Sequence, residues 1–308
     1  MTSASTATKL ARDLARVEGV IVTEDELLSR HTSFGIGGPA DVFVVPSDAR
    51  ALGEAMRISS DAGIEPLILG NGTNLIVRDS GVRGVVVKIA GALDHIATEG
   101  SLAIVEAGAT LGSVCFSCAQ KGLAGMEFAA GIPGTLGGAL VMNAGANGGE
   151  IGEVTKWVEI VTPDGSVTRL EREDLHFEYR QSSLKGAEAA VVRAALRLEP
   201  DQPTEIHRRL CDKIAVRCAR QPVSLASAGC IFKRPNDDFA GRLLEEAGAK
   251  GMRVGDAAVS SKHANFVVNL GEATAADVLK LIENVRGLVY DKSGVVLEPE
   301  VCIVGEEA

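Results

Sequence analysis

The stretch Ile64-Glu65-Pro66-Leu67-Ile68-Leu69-Gly70-Asn71-Gly72-Thr73-Asn74 joins an apolar run directly to two glycines and three polar side chains. An apolar run that ends in turn-forming residues predicts a buried strand over residues 64–69. In the loop that follows, the glycines leave backbone N–H groups accessible to an anion, and Asn and Thr add side-chain donors. The pattern predicts either a phosphate-binding loop or an ordinary turn between strands.

A second glycine cluster, Gly131-Ile132-Pro133-Gly134-Thr135-Leu136-Gly137-Gly138-Ala139, has a glycine at about every third position. Such spacing lets a flat ligand or a pyrophosphate approach the backbone closely, although tight packing of a helix on a sheet has the same pattern. With both clusters in one half of the chain, a flat ligand the size of a nucleotide is the leading interpretation.

A third glycine segment, Gly35-Ile36-Gly37-Gly38-Pro39-Ala40, formally satisfies the dinucleotide pattern Gly-x-Gly-x-x-Ala. That pattern requires an apolar strand before it and a helix that opens inside it. Here polar residues precede the segment, and residues 41–45 have the apolar character of a strand. We therefore expect no Rossmann site.

Helical and strand patterns alternate along the chain, but hairpins interrupt the alternation, as at Pro163-Asp164-Gly165. This mixture predicts an α+β fold. Breaks near residues 90 and 203 divide the chain into segments 1–90, 91–202 and 203–294, with a closing strand in 295–308 that returns to the first segment. Other expectations are a helix that begins at Thr23 on capping-box spacing, a helix over 47–62 capped by Ser47, a long helix over 204–220 and a strand over 295–304.

The chain has 308 residues with 31 basic and 41 acidic side chains, which gives a net charge of −10. This balance excludes a general nucleic-acid-binding surface and a surface for anionic membranes. Residues 128–149 lack charge, but their glycines, Pro133 and two asparagines exclude a membrane span. The first twenty residues contain no signal peptide, so the cytoplasm is the expected compartment. Cys115 and Cys118 lie in a predicted helix with no second pair, and nothing else predicts a metal site.

A local charge anomaly stands out against the negative total. Residues 217–234 carry only basic charges, on Arg217, Arg220, Lys233 and Arg234. They predict a pocket for phosphate or carboxylate, although a solvated face is an equally good interpretation. Cys230 lies among small residues in the same segment, where nearby cations would favour an acid or a nucleophile, but a lone cysteine is more often a packed apolar residue.

Two further polar clusters are Tyr179-Arg180-Gln181-Ser182-Ser183 and Leu297-Glu298-Pro299-Glu300-Val301. An Arg and a Glu that converge on one pocket would suit a substrate carboxylate and its enolate. Two unrelated surface charges remain the alternative, because spacing alone does not establish convergence.

Six motifs in this order resemble the UDP-N-acetylenolpyruvoylglucosamine reductases, over about residues 20–304. They are His31-Thr32-Ser33-Phe34-Gly35-Ile36-Gly37-Gly38, Gly70–Asn74, Gly131–Gly138 with Asn143-Ala144-Gly145, Tyr179-Arg180-Gln181-Ser182, Ser227-Ala228-Gly229-Cys230-Ile231-Phe232-Lys233 and Leu297-Glu298-Pro299-Glu300. No motif alone is specific, but six in order are.

The resemblance implies an FAD-binding domain of the vanillyl-alcohol-oxidase type in two subdomains, followed by an α+β substrate domain. It implies hydride transfer from NADPH to N5 of FAD and then to C3 of the enolpyruvyl group, which gives UDP-N-acetylmuramate for peptidoglycan synthesis. Arg180 and Glu300 would stabilise the enolate, and Cys230 would protonate C2. The implied FAD-binding residues are Gly70, Asn71, Gly72, Thr73, Asn74, Leu75, Gly131, Ile132, Pro133, Gly134, Gly137, Gly138, Asn143, Ala144 and Gly145. The diphosphate of the substrate would bind the basic residues Arg217, Arg220, Lys233 and Arg234. His263 is a further candidate for the substrate pocket, although an ordinary partly buried histidine is an equally good interpretation.

The sequence departs from the family at one implied catalytic position, where Cys230 replaces the common Ser. A thiol can also donate a proton, and it is more acidic than a hydroxyl. The absence of a tyrosine-bearing loop matches the shorter form of the family, and a monomer is the working expectation. The alternatives are an FAD-dependent alcohol or lactone oxidase of the same flavin fold and a non-catalytic nucleotide-binding protein. The preference for NADPH over NADH stays open.

Overall fold

The computed structural model describes residues 4–236 and 238–307. They divide into two compact units, each described by itself below. Unit 1 contains residues 4–25, Asp41–Asn71 and Gly84–Val216, and unit 2 contains Glu26–Ala40, Gly72–Arg83 and 217–307. The segment limits 90, 202 and 294 stay predictions.

Helices and strands are both present throughout the described chain, as the α+β prediction requires. The α-helices are Ala4–Leu14, Ala49–Asp61, Leu111–Gln120, Leu136–Val141, Ile151–Val154, Pro203–Arg220, Ala240–Glu246 and Ala275–Ser293, and short 3-10 helices are Leu28–His31, Glu127–Ala129 and Arg172–Leu175. No helix in the described part is long and apolar enough to cross a membrane.

Unit 1 is built on two sheets. The first has the strand order Val20–Leu27, Pro39–Pro46, Val82–Lys88 and Leu67–Leu69, and its last two strands are parallel. The second is antiparallel, in the order Val167–Glu171, Thr155–Val161, Ala190–Arg197, Leu102–Glu106 and Ile96–Glu99. Two-residue strands form the small pairs Gly145–Ala146 with Gly149–Glu150 and Leu123–Ala124 with Glu199–Pro200.

Two apolar cores stabilise unit 1. One is centred on the first sheet and the helix Ala49–Asp61, with Leu14, Val42, Leu52 and Val87 fully buried. The other lies between the second sheet and two helices, and its buried members include Val105, Val114, Leu136, Leu140 and Val158. The first glycine cluster follows the strand Leu67–Leu69 of the first sheet, and the second follows the 3-10 helix Glu127–Ala129.

Unit 2 has its own sheet and core. The antiparallel order is Ala226–Cys230, Phe266–Asn269, Ala257–Val259 and Arg253–Val254, and a separate parallel pair joins Cys302–Val304 to Leu75–Val77. The helix Ala275–Ser293 buries Val278, Leu281 and Val285 in this core.

Three predicted elements differ from the structure. Thr23 lies inside the strand Val20–Leu27, because the β-branched run Val-Ile-Val-Thr outweighs a capping pattern. Asp48 rather than Ser47 caps the next helix, where its carboxylate accepts from the N–H of Ala51 at 2.7 Å. The predicted strand over 295–304 shortens to Cys302–Val304, since Pro299 lacks the N–H that a continuous ladder requires.

Candidate functional site

The two glycine clusters meet within unit 1. A Cβ added to Gly70 would lie 2.6 Å from Oγ1 of Thr135, which is closer than real Cβ contacts allow. Gly70 therefore has to be glycine for the end of the strand Leu67–Leu69 to approach the second cluster. The two glycine clusters, which the sequence could not place side by side, are therefore in van der Waals contact at Gly70 and Thr135.

The second cluster forms a loop and the start of a short helix. Gly131 and Gly134 have φ values of +74° and +125°, which L side chains rarely adopt. Gly137 donates from its N–H to the oxygen of Ala107 at 2.8 Å, and a Cβ there would lie 3.1 Å from the Cβ of Ala107. Gly137 therefore packs closely on the sheet, while Gly131 and Gly134 leave the backbone of the loop without covering side chains. Ile132 and Pro133 lie between these two glycines. Gly138 donates to Oγ1 of Thr135 at 3.4 Å.

The rest of the first cluster belongs to unit 2. Gly72 has φ +59°, and a Cβ there would lie 2.5 Å from the oxygen of His31. After Thr73, Asn74 donates from Nδ2 to the main-chain oxygen of Glu300 at 3.3 Å. Leu75 opens the strand that pairs with Cys302–Val304. In unit 2 this segment thus connects directly to a predicted catalytic residue.

Asn143 holds the loop that follows the second cluster. Its fully buried side chain donates to Oε1 of Glu150 at 2.7 Å and to the main-chain oxygen of Glu178 at 2.9 Å. Its Oδ1 accepts from the N–H of Gly152 at 3.1 Å. Both N–H bonds of the amide are thereby used within the protein. The adjacent Ala144 donates from its backbone to the oxygen of Ala139 at 2.8 Å.

Arg180 lies in a tight turn fixed by this network. Glu178 and Gln181 exchange two backbone hydrogen bonds, and Arg180 between them has the left-handed φ of +57°. Its guanidinium donates to the oxygen of Gly145 at 3.2 Å and lies 5.1 Å from the ring of Tyr179. The hydrogen bonds of Glu178 and Gln181 therefore hold Arg180 in a backbone conformation that non-glycine residues seldom adopt.

Cys230 and Glu300 lie on neighbouring segments of unit 2, although 70 positions separate them. Phe232 and Pro299 form an antiparallel bridge, and the N–H of Glu300 donates to the oxygen of Ile231 at 2.7 Å. The strand Ala226–Cys230 carries a bulge between Ser227 and Cys230, with Gly229 at φ +78°. Bulges of this kind re-aim side chains next to active sites.

The segment of Cys230 depends on a residue that the sequence analysis missed. The side chain of Asn265 accepts from the N–H of Phe232 at 2.9 Å and donates to the main-chain oxygen of Phe232 at 2.8 Å. The main-chain oxygen of Asn265 accepts from the N–H of Ile231. The only available signal was its place in Ser261-Lys262-His263-Ala264-Asn265, beside His263. Thr135, between predicted glycines, was missed in the same way.

The four predicted basic residues have different surroundings. Burial lowers the pKa of Arg217, and the sulfurs of Cys230 and Cys218 act in the opposite direction. Lys233 binds Glu298 at 3.2 Å, and Arg234 lies 4.3 Å from the ring of Phe239. Arg220 is exposed at the end of its helix. The four predicted substrate-binding residues therefore have four different environments rather than forming one basic surface.

His263 is half-buried in unit 2. Its Nδ1 accepts from the N–H of Asn265 at 3.2 Å, and its ring meets Phe266 edge-on at 5.0 Å. Burial lowers the pKa of this imidazole, and Lys250 lowers it further. A backbone hydrogen bond of the same residue and Glu245 act in the opposite direction on this pKa.

The Cys115 and Cys118 pair is a packing feature. Both thiols are buried in the helix Leu111–Gln120, and burial raises their pKa values to about 12 and about 11. Thiols that stay protonated are poor nucleophiles and poor ligands. Within residues 4–236 and 238–307, no group of His, Cys, Asp and Glu side chains is arranged to hold a metal ion.

Comparisons with known proteins cover nearly the whole chain. The family model described as an FAD binding domain matches residues 40–171, and that of the UDP-N-acetylenolpyruvoylglucosamine reductase C-terminal domain matches residues 221–304. A reductase of this name from Rubrobacter xylanophilus is 45% identical over 92% of this chain and 95% of its own length. Reductase 2 of Symbiobacterium thermophilum is 44% identical over 91% of each chain.

Solved structures agree with these matches. The crystal structure of UDP-N-acetylenolpyruvylglucosamine reductase from Thermus caldophilus superimposes with a TM-score of 0.80 at 36% identity, and it covers 92% of this chain and 98% of that one. A berberine-bridge-enzyme-like protein from Physcomitrella patens has a TM-score of 0.50 at 17% identity over 62% of this chain and 44% of that one, which indicates the fold alone. The predicted fold class, a flavin-binding α+β domain of the vanillyl-alcohol-oxidase type followed by a second α+β domain, is confirmed.

Proposed function

Because the chain belongs to the UDP-N-acetylenolpyruvoylglucosamine reductase family, we propose that it reduces that sugar nucleotide to UDP-N-acetylmuramate during peptidoglycan precursor synthesis. The observation that carries the proposal is 44–45% identity to such reductases over more than nine tenths of both chains. FAD is the resident cofactor and NADPH the hydride donor. The enzyme works as a cytoplasmic monomer.

The residues of unit 1 fit FAD. The contact between Gly70 and Thr135 brings two stretches of backbone without side chains together, and the positive φ values of Gly131 and Gly134 keep the second stretch open. Backbone N–H groups of this kind bind a diphosphate without a cationic side chain. We assign Gly70, Asn71 and the segment 131–138 to the flavin diphosphate. Asn143 acts by positioning, since its amide is already hydrogen-bonded within the protein.

When bound, FAD would supply the redox chemistry, the transfer of a hydride between NADPH and C3 of the enolpyruvyl group. This chain's own residues handle the charge and the proton. Negative charge develops on the enolpyruvyl carboxylate as C3 accepts the hydride. Arg180 stabilises that charge as a cation, and Glu300 orients the developing enolate.

Cys230 donates the proton to C2. The bulge that precedes it and the hydrogen bonds of Asn265 to Phe232 set the direction of this segment. Glu300 lies on the adjoining segment through the hydrogen bond to Ile231. A proton donor and a carboxylate on neighbouring backbone segments suit protonation of an enolate. Arg217 belongs to the substrate-binding residues together with Arg220, Lys233, Arg234 and His263.

The visible spectrum of the purified protein under anaerobic conditions tests the proposal. We expect a yellow flavin that bleaches when NADPH is added and returns when UDP-N-acetylenolpyruvoylglucosamine is added. A colourless protein that binds no added FAD would contradict the proposal. A flavin that bleaches but is reoxidised only by oxygen would instead indicate an oxidase.

A further inference from the structure

Ser33 joins three separate segments of unit 2. Its hydroxyl donates to the main-chain oxygen of Ser227 at 2.7 Å, across 194 positions of the chain, and more weakly to the main-chain oxygen of Gly72 at 3.3 Å. The N–H of Ser33 donates to the same oxygen of Gly72 at 3.2 Å, and the main-chain oxygen of Ser33 accepts from the N–H of Ser227 at 3.2 Å. Ser33 therefore holds the first glycine cluster and the strand that leads to Cys230 together.

The strand that Ser33 binds does not pair regularly along its length. The strand Ala226–Cys230 leaves its ladder with Phe266–Asn269 between Ser227 and Cys230, where it forms a bulge. Gly229 within the bulge has the left-handed φ of +78°. A bulge disrupts the ladder locally and bends its strand. The direction of the Cys230 side chain therefore depends on the groups that hold the two ends of the bulge.

Different groups hold these two ends. After Cys230, the N–H of Ile231 donates to the main-chain oxygen of Asn265 at 2.9 Å, and the N–H of Glu300 donates to the main-chain oxygen of Ile231 at 2.7 Å. At the start of the bulge, the hydroxyl of Ser33 adds a side-chain hydrogen bond to the backbone pairing. Removal of this hydroxyl would loosen the start of the bulge and leave its far end held.

We propose that Ser33 is a positioning residue for proton transfer, because its hydroxyl sets the direction from which Cys230 meets the substrate. The inference rests on the proposed function, in which Cys230 donates the proton to C2. Ser33 acts through Cys230, and its hydrogen bonds to Gly72 tie the same strand to the first glycine cluster. Proton transfer depends strongly on position, since a displacement of about 1 Å can slow a reaction about 10²-fold.

The first test measures both half-reactions of the FAD-loaded wild type, Ser33→Ala, Ser33→Thr and the control Ser224→Ala. Ser33 and Ser224 are both exposed, so neither change to alanine leaves a cavity in the core. In Ser33→Ala, we expect reoxidation by saturating UDP-N-acetylenolpyruvoylglucosamine to slow about tenfold, because the proton donor is displaced. Flavin content, reduction by NADPH and the KM for the substrate should stay as in the wild type. Threonine keeps the hydroxyl and should restore the rate, and Ser224→Ala should match the wild type.

The second test follows the Cys230 thiol itself and does not need turnover. The FAD-loaded proteins are treated with iodoacetamide, and mass spectrometry compares the labelling of Cys230 with that of the exposed Cys211 in the same molecule. The loss of one hydrogen bond should let the bulge open about fivefold more often, so the labelling of Cys230 relative to Cys211 should rise about fivefold in Ser33→Ala. Ser33→Thr should keep the wild-type ratio.

Wild-type reoxidation in Ser33→Ala, equal slowing of both of its half-reactions or an unchanged labelling ratio would overturn the inference. Failure of Ser33→Thr to restore the rate would overturn it as well, since the hydroxyl would then not be the group that matters. A wild type whose reduced flavin is not reoxidised by the sugar nucleotide would instead refute the proposed function. The labelling ratio would then decide by itself whether Ser33 holds Cys230.

Discussion

The side-chain amide of Asn143 donates from Nδ2 to the main-chain oxygen of Glu178 at 2.9 Å, across 35 positions of the chain. Glu178 begins the turn that holds Arg180 at φ +57°. The same Asn143 side chain binds Glu150 and Gly152, so the loop after the second glycine cluster and the turn of Arg180 form one hydrogen-bonded structure. The position of Arg180 is thereby linked to the cluster that we assign to FAD.

Replacement of Asn143 by Leu should displace the turn that carries Arg180 while leaving the arginine itself in the chain. The change leaves the oxygen of Glu178 and the N–H of Gly152 without these partners and puts a leucine at the left-handed φ of +42°, so we expect the free energy of unfolding to fall by about 3 kcal/mol or more. Flavin reoxidation by the substrate should slow at least tenfold, whereas flavin reduction by NADPH should persist. Stopped-flow absorbance of each half-reaction, with a thermal melt, measures both effects.

Asn147→Leu is the matched control for this prediction, because Asn147 has a left-handed φ of +55° and the change adds the same kind of backbone strain as Asn143→Leu. Asn147 is exposed and makes a single bond from Nδ2 to the oxygen of Phe128 at 3.2 Å. Its loss should leave both half-reactions near wild type. Equal slowing of both half-reactions in Asn143→Leu would indicate a general structural defect rather than a displaced Arg180.

Gly70→Ala tests the contact between the two glycine clusters. The new Cβ would lie 2.6 Å from Oγ1 of Thr135, so the strand end or the second loop has to shift. We expect the affinity for FAD to fall about tenfold or more, because the backbone groups that hold the diphosphate no longer align. Fluorescence titration of the apoprotein with FAD measures the change.

Gly287→Ala is the control, because its Cβ would meet nothing within 4 Å on the helix Ala275–Ser293. Alanine is the better helix former, so this variant should keep its FAD affinity and gain about 0.5–1 kcal/mol of stability. Normal FAD affinity in Gly70→Ala would show that this contact does not shape the flavin site.

The sequence predicted those elements whose signals are local. The hairpin around Pro163-Asp164-Gly165 is confirmed by the register of Val161 opposite Val167, since turn chemistry alone specifies it. The strand predicted over residues 41–45 is confirmed as Pro39–Pro46, because its run of apolar residues is also a local signal. The helix at Thr23 was wrong because cross-strand pairing, which a capping pattern does not report, decides that segment.

Relationships between distant residues were beyond the sequence alone. The spacing of residues in the sequence could not show that the N–H of Glu300 donates to the main-chain oxygen of Ile231, the neighbour of Cys230. This hydrogen bond accompanies the bridge between Phe232 and Pro299, and a pairing of residues so far apart has no local signal in the sequence. Asn265 was missed because a buried amide is recognised by its hydrogen-bond partners, which lie far away in the sequence. The site roles themselves came from the resemblance and stay predictions.

Cys230→Ala and Cys230→Ser test the proposed proton donor. Alanine should leave flavin reduction by NADPH intact and reduce flavin reoxidation by the substrate at least a hundredfold, since general acid catalysis contributes about 10²–10⁴ in rate. Serine should retain activity because a hydroxyl can also donate. Persistence of both half-reactions in Cys230→Ala would exclude this residue as the acid.

The same pair of variants predicts a difference in pH dependence. A thiol can ionise in the accessible alkaline range and then has no proton to donate, whereas a serine hydroxyl does not ionise there. Reoxidation by the substrate should therefore decline at alkaline pH in the wild type and not in Cys230→Ser. Cys211→Ser, at an exposed cysteine of the helix Pro203–Arg220, should keep the wild-type profile.

Acidification should destabilise the fold through His263. Burial lowers the pKa of this imidazole and Lys250 adds to that effect, whereas a backbone hydrogen bond and Glu245 oppose it without reversing it. The unfolded chain therefore binds a proton at a higher pH than the folded chain does. The resulting stability is fully present above the unfolded value of about 6.5 and is lost as the pH falls from there through the lower folded pKa.

Thermal melts of the wild type, His263→Asn and the control His95→Asn between pH 7.5 and 5 check this prediction. Asparagine cannot take up the proton, and its side-chain oxygen can still accept from the N–H of Asn265. The Tm should therefore fall less on acidification in His263→Asn than in the wild type, whereas the change at the exposed His95 should have no such effect. Parallel pH profiles for all three proteins would mean that the acid sensitivity originates in other groups.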